Sequence, residues 1–575
     1  DMEKNIWDFI RPRDQLIRFT RHSFSWGLCI PESCSAEDIQ TSLNDTLSQA
    51  FADHKIQFIV NLTELECYSA SETEARQIPP AGYAWTYVWC VLIVLCILGT
   101  IADYQHIDAD IEKQSDGIEM TTQHEKQEVE NINKSQTSDG TLKMLLLAFS
   151  FRRNARSIIS QNVSNNILIF DGFKGLCLVG VILFHHEFIS MSYAKNLEYV
   201  EEFLHKPSSF TFTASTNILD TFFFVSGFLL TWSIIQNLNK GRTINFGKLI
   251  LVRVLRIWPM YIMLIAFSIW VQPYIGEGPM WKTYADTQAE ACRQYWWQHL
   301  LFVATLYTKG NELCIPTSWY LCTEFQLYLI SLALIYFVTK FPAWRKPTLI
   351  SALVVSNLIP PLVIYFTQEN SFWFIIIREL RDNIRSPYVR RIFSVFYVRI
   401  PPYIYGVCTA YLTDSMVKKD FKFSTVQKMA IFGITGSASL AVLYGGAALF
   451  LVPERILDYN VWEHVAFVIP LRLVFGITLA TGILIEHCGG YGVFSDFVCH
   501  PIFVTIGRLS FHMFLWNSFT IHWDYYTSQS SDHFNMYIFM LRFISDLGMA
   551  TLISFVTTIL LEPPMAVLRK KFIPR

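Results

Sequence analysis

The sequence predicts an all-α polytopic membrane protein. About eleven transmembrane helices are expected, one followed by a ten-helix domain, behind a small disulfide-containing extracytosolic domain. Three observations predict it. Of 575 residues, 52% are hydrophobic and 15% aromatic, while only 16% are charged; mean hydropathy is +0.30. The apolar residues gather in runs near the roughly 20 residues that a spanning helix needs. These runs centre near residues 91, 178, 224, 262, 328, 356, 405, 438, 474, 511 and 550. Finally, if the runs alternate in direction, the basic loops fall on one side. They carry Lys143, Arg152, Arg153 and Arg156; Lys240, Arg242 and Lys248; Lys340, Arg345 and Lys346; Lys418, Lys419 and Lys422; and the terminal Arg569, Lys570 and Lys571. That side, with the C-terminus, is expected to be cytosolic. The basic stretch from Arg378 to Arg391 lands opposite and is outvoted. A net charge of −2 offers nothing to a nucleic-acid partner.

Residues 1–80 form the expected extracytosolic domain, and Asp1 in place of Met reads as a processed start. Within it, "WGLCIPESCSAEDI" reads as a turn and then a helix capped by Ser35. Cys29, Cys34 and Cys67 lie here, an odd number; Cys292 and Cys314 share a loop on the same face. An oxidising face permits disulfides, and Cys292–Cys314 is the expected pair, with Cys29 and Cys34 as further candidates. Asn44 and Asn61 are glycosylation sequons on that face, whereas Asn133 and Asn162 fall on the cytosolic side and should stay unmodified. Residues 81–102 are the first span, with Trp85, Tyr87 and Trp89 as interface anchors. Residues 103–165 form a cytosolic linker, polar and unperiodic to about 142. The linker closes on "MLLLAFSFRRNARSII", an amphipathic segment too charged to span. Residues 166–575 hold the remaining ten spans.

Polar residues inside these spans mark the candidate site. In the span that ends in "VILFHHEF", Asp171, Lys174, Leu178, Val181 and His185 follow steps of three and four along one helical stripe. His186 and Glu187 point elsewhere, so the three adjacent residues do not close on one metal ion. His185 is the candidate, against a packed or interfacial histidine as the plainer reading. Asp220 in the next span should lie at similar depth, where a carboxylate on one imidazole nitrogen makes the other a better base. Ser226 and Gly227 read as close-packing residues. Arg253 and Arg256 share a face at a helix start on the cytosolic side, either snorkelling or clamping an anion. In "SWYLCTEFQ", Glu324 sits about two turns in from the other face, with Ser318 as a plausible cap.

These segments resemble the acyltransferase-3 superfamily, in its animal branch called nose resistant to fluoxetine. "DGFKGLCLVGVILFH", "DTFFFVSGFLL", "RVLRIWP" and "SWYLCTEFQLYL" are similar to four of its motifs in order. "YVRIPPYIYGV", "CGGYG" and "LLEPPMAVL" match further on, and "WGLCIPESCSAEDI" resembles the branch's cysteine-containing ectodomain. The resemblance implies transfer of an acyl group from cytosolic acyl-CoA to a hydroxyl-bearing lipid, glycan or small molecule, with no metal. It puts the essential histidine at His185, an acid at Glu324, and CoA phosphates on Arg253 and Arg256, with Lys174 in support. His185 with Asp220 would then deprotonate the acceptor. Two positions depart from the pattern: Lys174 replaces an arginine, and Asn517 stands where a histidine is common. A non-catalytic carrier with the same fold is the rival reading. The expected location is the endoplasmic reticulum and secretory pathway, or the plasma membrane, with membrane lipids as neighbours.

Overall fold

Ser35 starts the first helix, α1 (Ala36–Ala50), with a reciprocal cap. Its hydroxyl accepts from the Asp38 N–H, and the Asp38 carboxylate accepts from the Ser35 N–H. Those bonds hold the Asp38 carboxyl below its usual range. The computed structural model describes residues 28–573 apart from 32, 55–58, 63–66, 68, 70–75, 116–137, 162–164, 207–216, 308–312, 372–385, 451–458 and 529–531. The sequons at Asn133 and Asn162, and most of the basic stretch 378–391, lie outside the described residues.

Every regular element among the described residues is helical. Among the described residues, nine helices are long and apolar enough to cross a membrane. They are α2 (Pro80–Ser115), α4 (Asn165–Ser192), α5 (Ile218–Asn239), α6 (Phe246–Trp270), α8 (Trp319–Lys340), α9 (Arg345–Thr367), α11 (Thr425–Phe450), α12 (Val461–His487) and α14 (Met536–Phe572). Between them run α3 (Phe151–Ile159), α7 (Pro279–Leu300), α10 (Ile400–Lys418) and α13 (Pro501–Tyr526). The helices α10 and α13 occupy two of the eleven expected spans. Their lower hydropathy has a cause: α13 spends positions on Arg508, His512, Asn517, His522 and Asp524.

The first span does not end where its polar residues begin. α2 continues to Ser115, so residues 103–115 are helical rather than unstructured linker. The reason is Asp103, which is buried and accepts from the Ser150 hydroxyl at 2.9 Å and from Arg153 at 2.5 Å. Both partners belong to the amphipathic segment, where Ser150 also caps α3. At the other end of α3, Arg508 Nη1 donates to the carbonyls of Ser157, Ile158 and Ser160 at 3.1, 2.9 and 2.5 Å. A cation on the last carbonyls of a helix suits its dipole. The segment is thereby fastened to α2 on one side and to α13 on the other.

Two helix pairs make the most extensive contacts, α4 with α13 and α5 with α10. Both rest on glycines that let backbones touch, as in other membrane bundles. A Cβ at Gly175 would lie 1.9 Å from the Phe503 carbonyl oxygen, and one at Gly507 would lie 1.8 Å from that of Asp171. Gly227 and Gly406 meet the Tyr403 and Phe224 carbonyls in the same way, at 2.3 and 2.1 Å. The close-packing role expected of Gly227 is observed.

The bridge Cys292–Cys314 forms as expected and ties α7 to the segment before α8. Cys29 and Cys34 do not pair with each other or with Cys67. Both are exposed, so no packing presses the two thiols together. Ser318 does not cap α8 through its side chain; its hydroxyl donates to the Ile315 carbonyl at 2.6 Å and meets His299 Nδ1 at 2.9 Å. His299 Nε2 accepts from the Cys314 N–H at 3.1 Å, which puts the ring proton on Nδ1.

Burial pushes the His299 imidazole down to about 3. The folded protein therefore keeps this ring neutral at a pH where the unfolded chain protonates it. The associated stability is complete above the unfolded value of about 6.5 and is lost as pH falls toward 3, at roughly 1.4 kcal/mol per pH unit. Thermal unfolding in detergent at pH 7.5 and 4.5 should show a smaller acid-induced drop for His299→Gln than for the parent chain. An equal drop would refute the assignment.

Candidate functional site

α4 carries His185, His186 and Glu187 in sequence, and the fold sends them to three places. His186 turns to α14, with Nε2 donating to the Phe539 carbonyl at 3.1 Å and Nδ1 2.9 Å from the Asp546 carboxylate. Glu187 is buried, and its Oε2 has no partner among the described residues. His185 faces α13.

There Nδ1 lies 2.7 Å from Asn517 Oδ1. Asn517 is fully buried, and its amide nitrogen donates to the Met513 and Phe514 carbonyls at 3.1 and 2.5 Å. Flipping the amide would set its oxygen against two carbonyl oxygens, so the orientation follows from the network. Asn517 Oδ1 must then accept, His185 Nδ1 must carry the proton, and Nε2 is left bare. The glycine contact between α4 and α13 is what brings the two side chains into register. On His185 itself the expectation from periodicity is met: it stands apart from His186 and Glu187.

Asp220 was expected beside His185, and the fold places it elsewhere. Its carboxylate accepts from Arg399 at 2.8 Å and from Arg472, all three side chains being buried. α5 turns this face toward α10 and α12, away from His185. Two guanidiniums, not the imidazole, decide its direction. Arg399 also donates to the Phe393 carbonyl at 3.0 Å and lies 4.8 Å from that ring's centroid. Removing the carboxylate leaves two buried cations uncompensated. Asp220→Leu should therefore cost about 3–5 kcal/mol, read as a fall in thermal stability of the detergent-purified protein. A melting temperature equal to the parent's would contradict this.

Glu324 and Arg253, expected near opposite faces, meet each other. They form an ion pair, with the guanidinium 4.3 Å from the Tyr328 ring centroid. Arg253 is seven residues into α6, roughly 10 Å from its start, and its guanidinium turns onto Glu324 whereas that of Arg256, three residues on, stays exposed. Tyr320 and Tyr403 lie within electrostatic reach of both charges. Tyr320 also packs on Phe514, 5.0 Å between centroids, the residue whose carbonyl holds Asn517. Aromatic packing therefore joins the Arg253–Glu324 pair to the histidine without the predicted carboxylate contact. Arg256 is exposed and pairs with Glu562 at 3.1 Å. Lys174 pairs with Asp171 at 3.0 Å, on the stripe where both were placed, and Asp171 also faces Arg508 at 3.4 Å.

Of the glycosylation candidates, Asn61 is exposed and Asn44 is half-buried, its side-chain oxygen accepting from the Val60 N–H at 2.9 Å.

Three residues stand out here that the sequence did not assign. Arg472 belongs to an apolar span and Arg399 immediately precedes α10, and the search for a partner to Asp220 was the signal that would have found them. His522 is the third, and interacts electrostatically with His185.

These features define a multi-pass α-helical membrane protein with a buried polar site between its fourth and thirteenth helices. An acyltransferase domain of the acyltransferase-3 family matches residues 167–560, more than half of the chain. The chain belongs to that family. It is 23% identical to "Nose resistant to fluoxetine protein 6" of Caenorhabditis elegans over 94% of this chain, and it covers 65% of that protein's length. No solved structure matches it.

Proposed function

We propose that this protein transfers an acyl group from acyl-CoA to a hydroxyl-bearing acceptor, with His185 as general base. The observation that carries the reading is the Asn517–His185 contact at 2.7 Å, which leaves Nε2 as a proton acceptor. The acceptor oxygen attacks the thioester carbonyl as its proton passes to Nε2. The C–S bond then breaks, and the imidazolium returns that proton to the CoA thiolate. Asn517 accepts from Nδ1–H throughout and holds the ring in the working tautomer.

The charged end of the donor is assigned to Arg256 and its neighbour Arg569, where guanidinium charge reaches solvent. Arg253, committed to Glu324, positions the aromatic wall between donor and base. The α3 end of the bundle faces the cytosol in this reading, and the end bearing the Cys292–Cys314 bridge faces the lumen or cell exterior. The purified protein in liposomes, given acyl-CoA and a mixed pool of alcohols, should release CoA and form ester, and His185→Ala should do neither. Absence of CoA release from the parent protein would favour the carrier.

A further inference from the structure

The Asp220 carboxylate holds two guanidiniums at once, Oδ1 accepting from Arg399 at 2.8 Å and Oδ2 from Arg472. All three residues are more than nine-tenths buried. They come from α5, the residue just before α10, and α12. Two positive charges share one negative charge, so the trio carries a net +1. Among the described residues no second carboxylate meets either guanidinium. Glu369, the other acid that acts on nearby Tyr388, pairs with Arg391 at 3.0 Å. Arginine cannot shed the excess by losing a proton. The cluster also lies at two helix starts, since Asp220 is in the first turn of α5 and Arg399 immediately precedes α10. Both helix dipoles add to the positive side.

The two cations are not alike. Arg399 has further partners: Nε donates to the Phe393 carbonyl at 3.0 Å, and the guanidinium lies 4.8 Å from that ring's centroid. Arg472 donates to Asp220 through Nη1, while its Nε is buried without a hydrogen-bond partner among the described residues. A buried ion is tolerated when its charge and its donors are both met. Arg472 falls short on both counts, and a simple ion pair would need only one arginine. We infer that the trio is an anion site, completed by one small monovalent anion on the Nε edge of Arg472. A single charge is what the excess requires. Small size follows from the burial of all three residues, which excludes a bulky or hydrated ion. The anion ties α12 to the glycine-packed pair of α5 and α10, so its first effect is on the stability of the fold.

The detergent-purified protein is melted at constant ionic strength while sodium gluconate, whose anion is bulky, is replaced by sodium chloride or sodium acetate. Melting temperature should rise saturably, by roughly 2–4 °C, with at least one of the small anions. Saturation at low concentration separates binding from general salt effects, which keep growing with concentration. A larger rise with chloride names a halide as occupant, and a larger rise with acetate names a carboxylate. Arg472→Gln removes the excess charge and leaves the Asp220–Arg399 pair. It should abolish the rise and, in gluconate, melt no lower than the parent, whereas Arg472→Lys keeps the charge and should keep the rise. Equal melting of the parent in all three salts, or a rise that survives Arg472→Gln, overturns the proposal. So does an Arg472→Gln protein that melts well below the parent in gluconate, which would make Arg472 a structural cation only. If Arg472→Gln does not fold, the parent's titration and its retention of radioactive chloride or acetate decide the matter. Absence of both a saturable rise and retained label sinks the site.

Discussion

His185→Ala is expected to abolish acyl transfer from acyl-CoA, a loss of about 10²–10⁴-fold or more, while the protein stays folded. His185 is partly exposed and hydrogen-bonds Asn517, so little packing is lost with the ring. The loss should sit in kcat, because the proton moves only in the transition state. Asn517 supplies the sharper control. Asn517→Asp keeps an acceptor on Nδ1–H and should retain more activity than Asn517→Leu, at a cost in melting temperature because its second oxygen faces the Met513 and Phe514 carbonyls. Asn517→Leu removes it and frees the ring to take the wrong tautomer, an error that costs as much as about 10⁴-fold in other histidine bases. Turnover and melting temperature are measured together on all three variants. Parent-like turnover by His185→Ala would end the proposal, and equal activity of the two Asn517 variants would remove the tautomer argument.

Gly507→Val is expected to be the most damaging single change to the fold, with Gly175→Val beside it. The new Cβ atoms would stand 1.8 and 1.9 Å from backbone carbonyl oxygens of the facing helix. No rotamer relieves a contact between two backbones, so α4 and α13 must move apart. That separation breaks the His185–Asn517 contact and opens the interface on which α3 is also fastened. A cost above about 4 kcal/mol places these changes among the exceptional ones. Gly436→Ala in α11 is the control, since a Cβ there meets nothing within 4 Å. Size-exclusion profiles after detergent extraction should show aggregated Gly507→Val and monodisperse Gly436→Ala. A parent-like profile with retained activity for Gly507→Val would refute the role given to this contact.

Much of the site was legible because helical periodicity is a local property. The stripe from Asp171 through Lys174 to His185 follows from steps of three and four, and the fold keeps Lys174 on Asp171 and His185 apart from its neighbours. The Ser35 cap and the Cys292–Cys314 bridge were readable for the same reason, since each depends on residues close in sequence or confined to one loop. The errors arose between helices. Hydropathy fixes roughly how deep a residue lies, but says nothing of rotation about the helix axis. Asp220 therefore met Arg399 and Arg472 instead of His185, and the paired charges of Arg253 and Glu324 lay closer than their helix ends suggested.

By itself, then, the sequence determined an all-helical membrane chain, its spans and the histidine that stands out from them. Apolar length and 3.6-residue periodicity are written residue by residue and survive any arrangement of neighbours. Only the tertiary structure decided that Asn517 sets the His185 tautomer and that Arg399 and Arg472 neutralise Asp220. Those outcomes depend on which faces of distant helices meet. Here the meeting is set by glycines that admit backbone contact and by buried charges that must find each other.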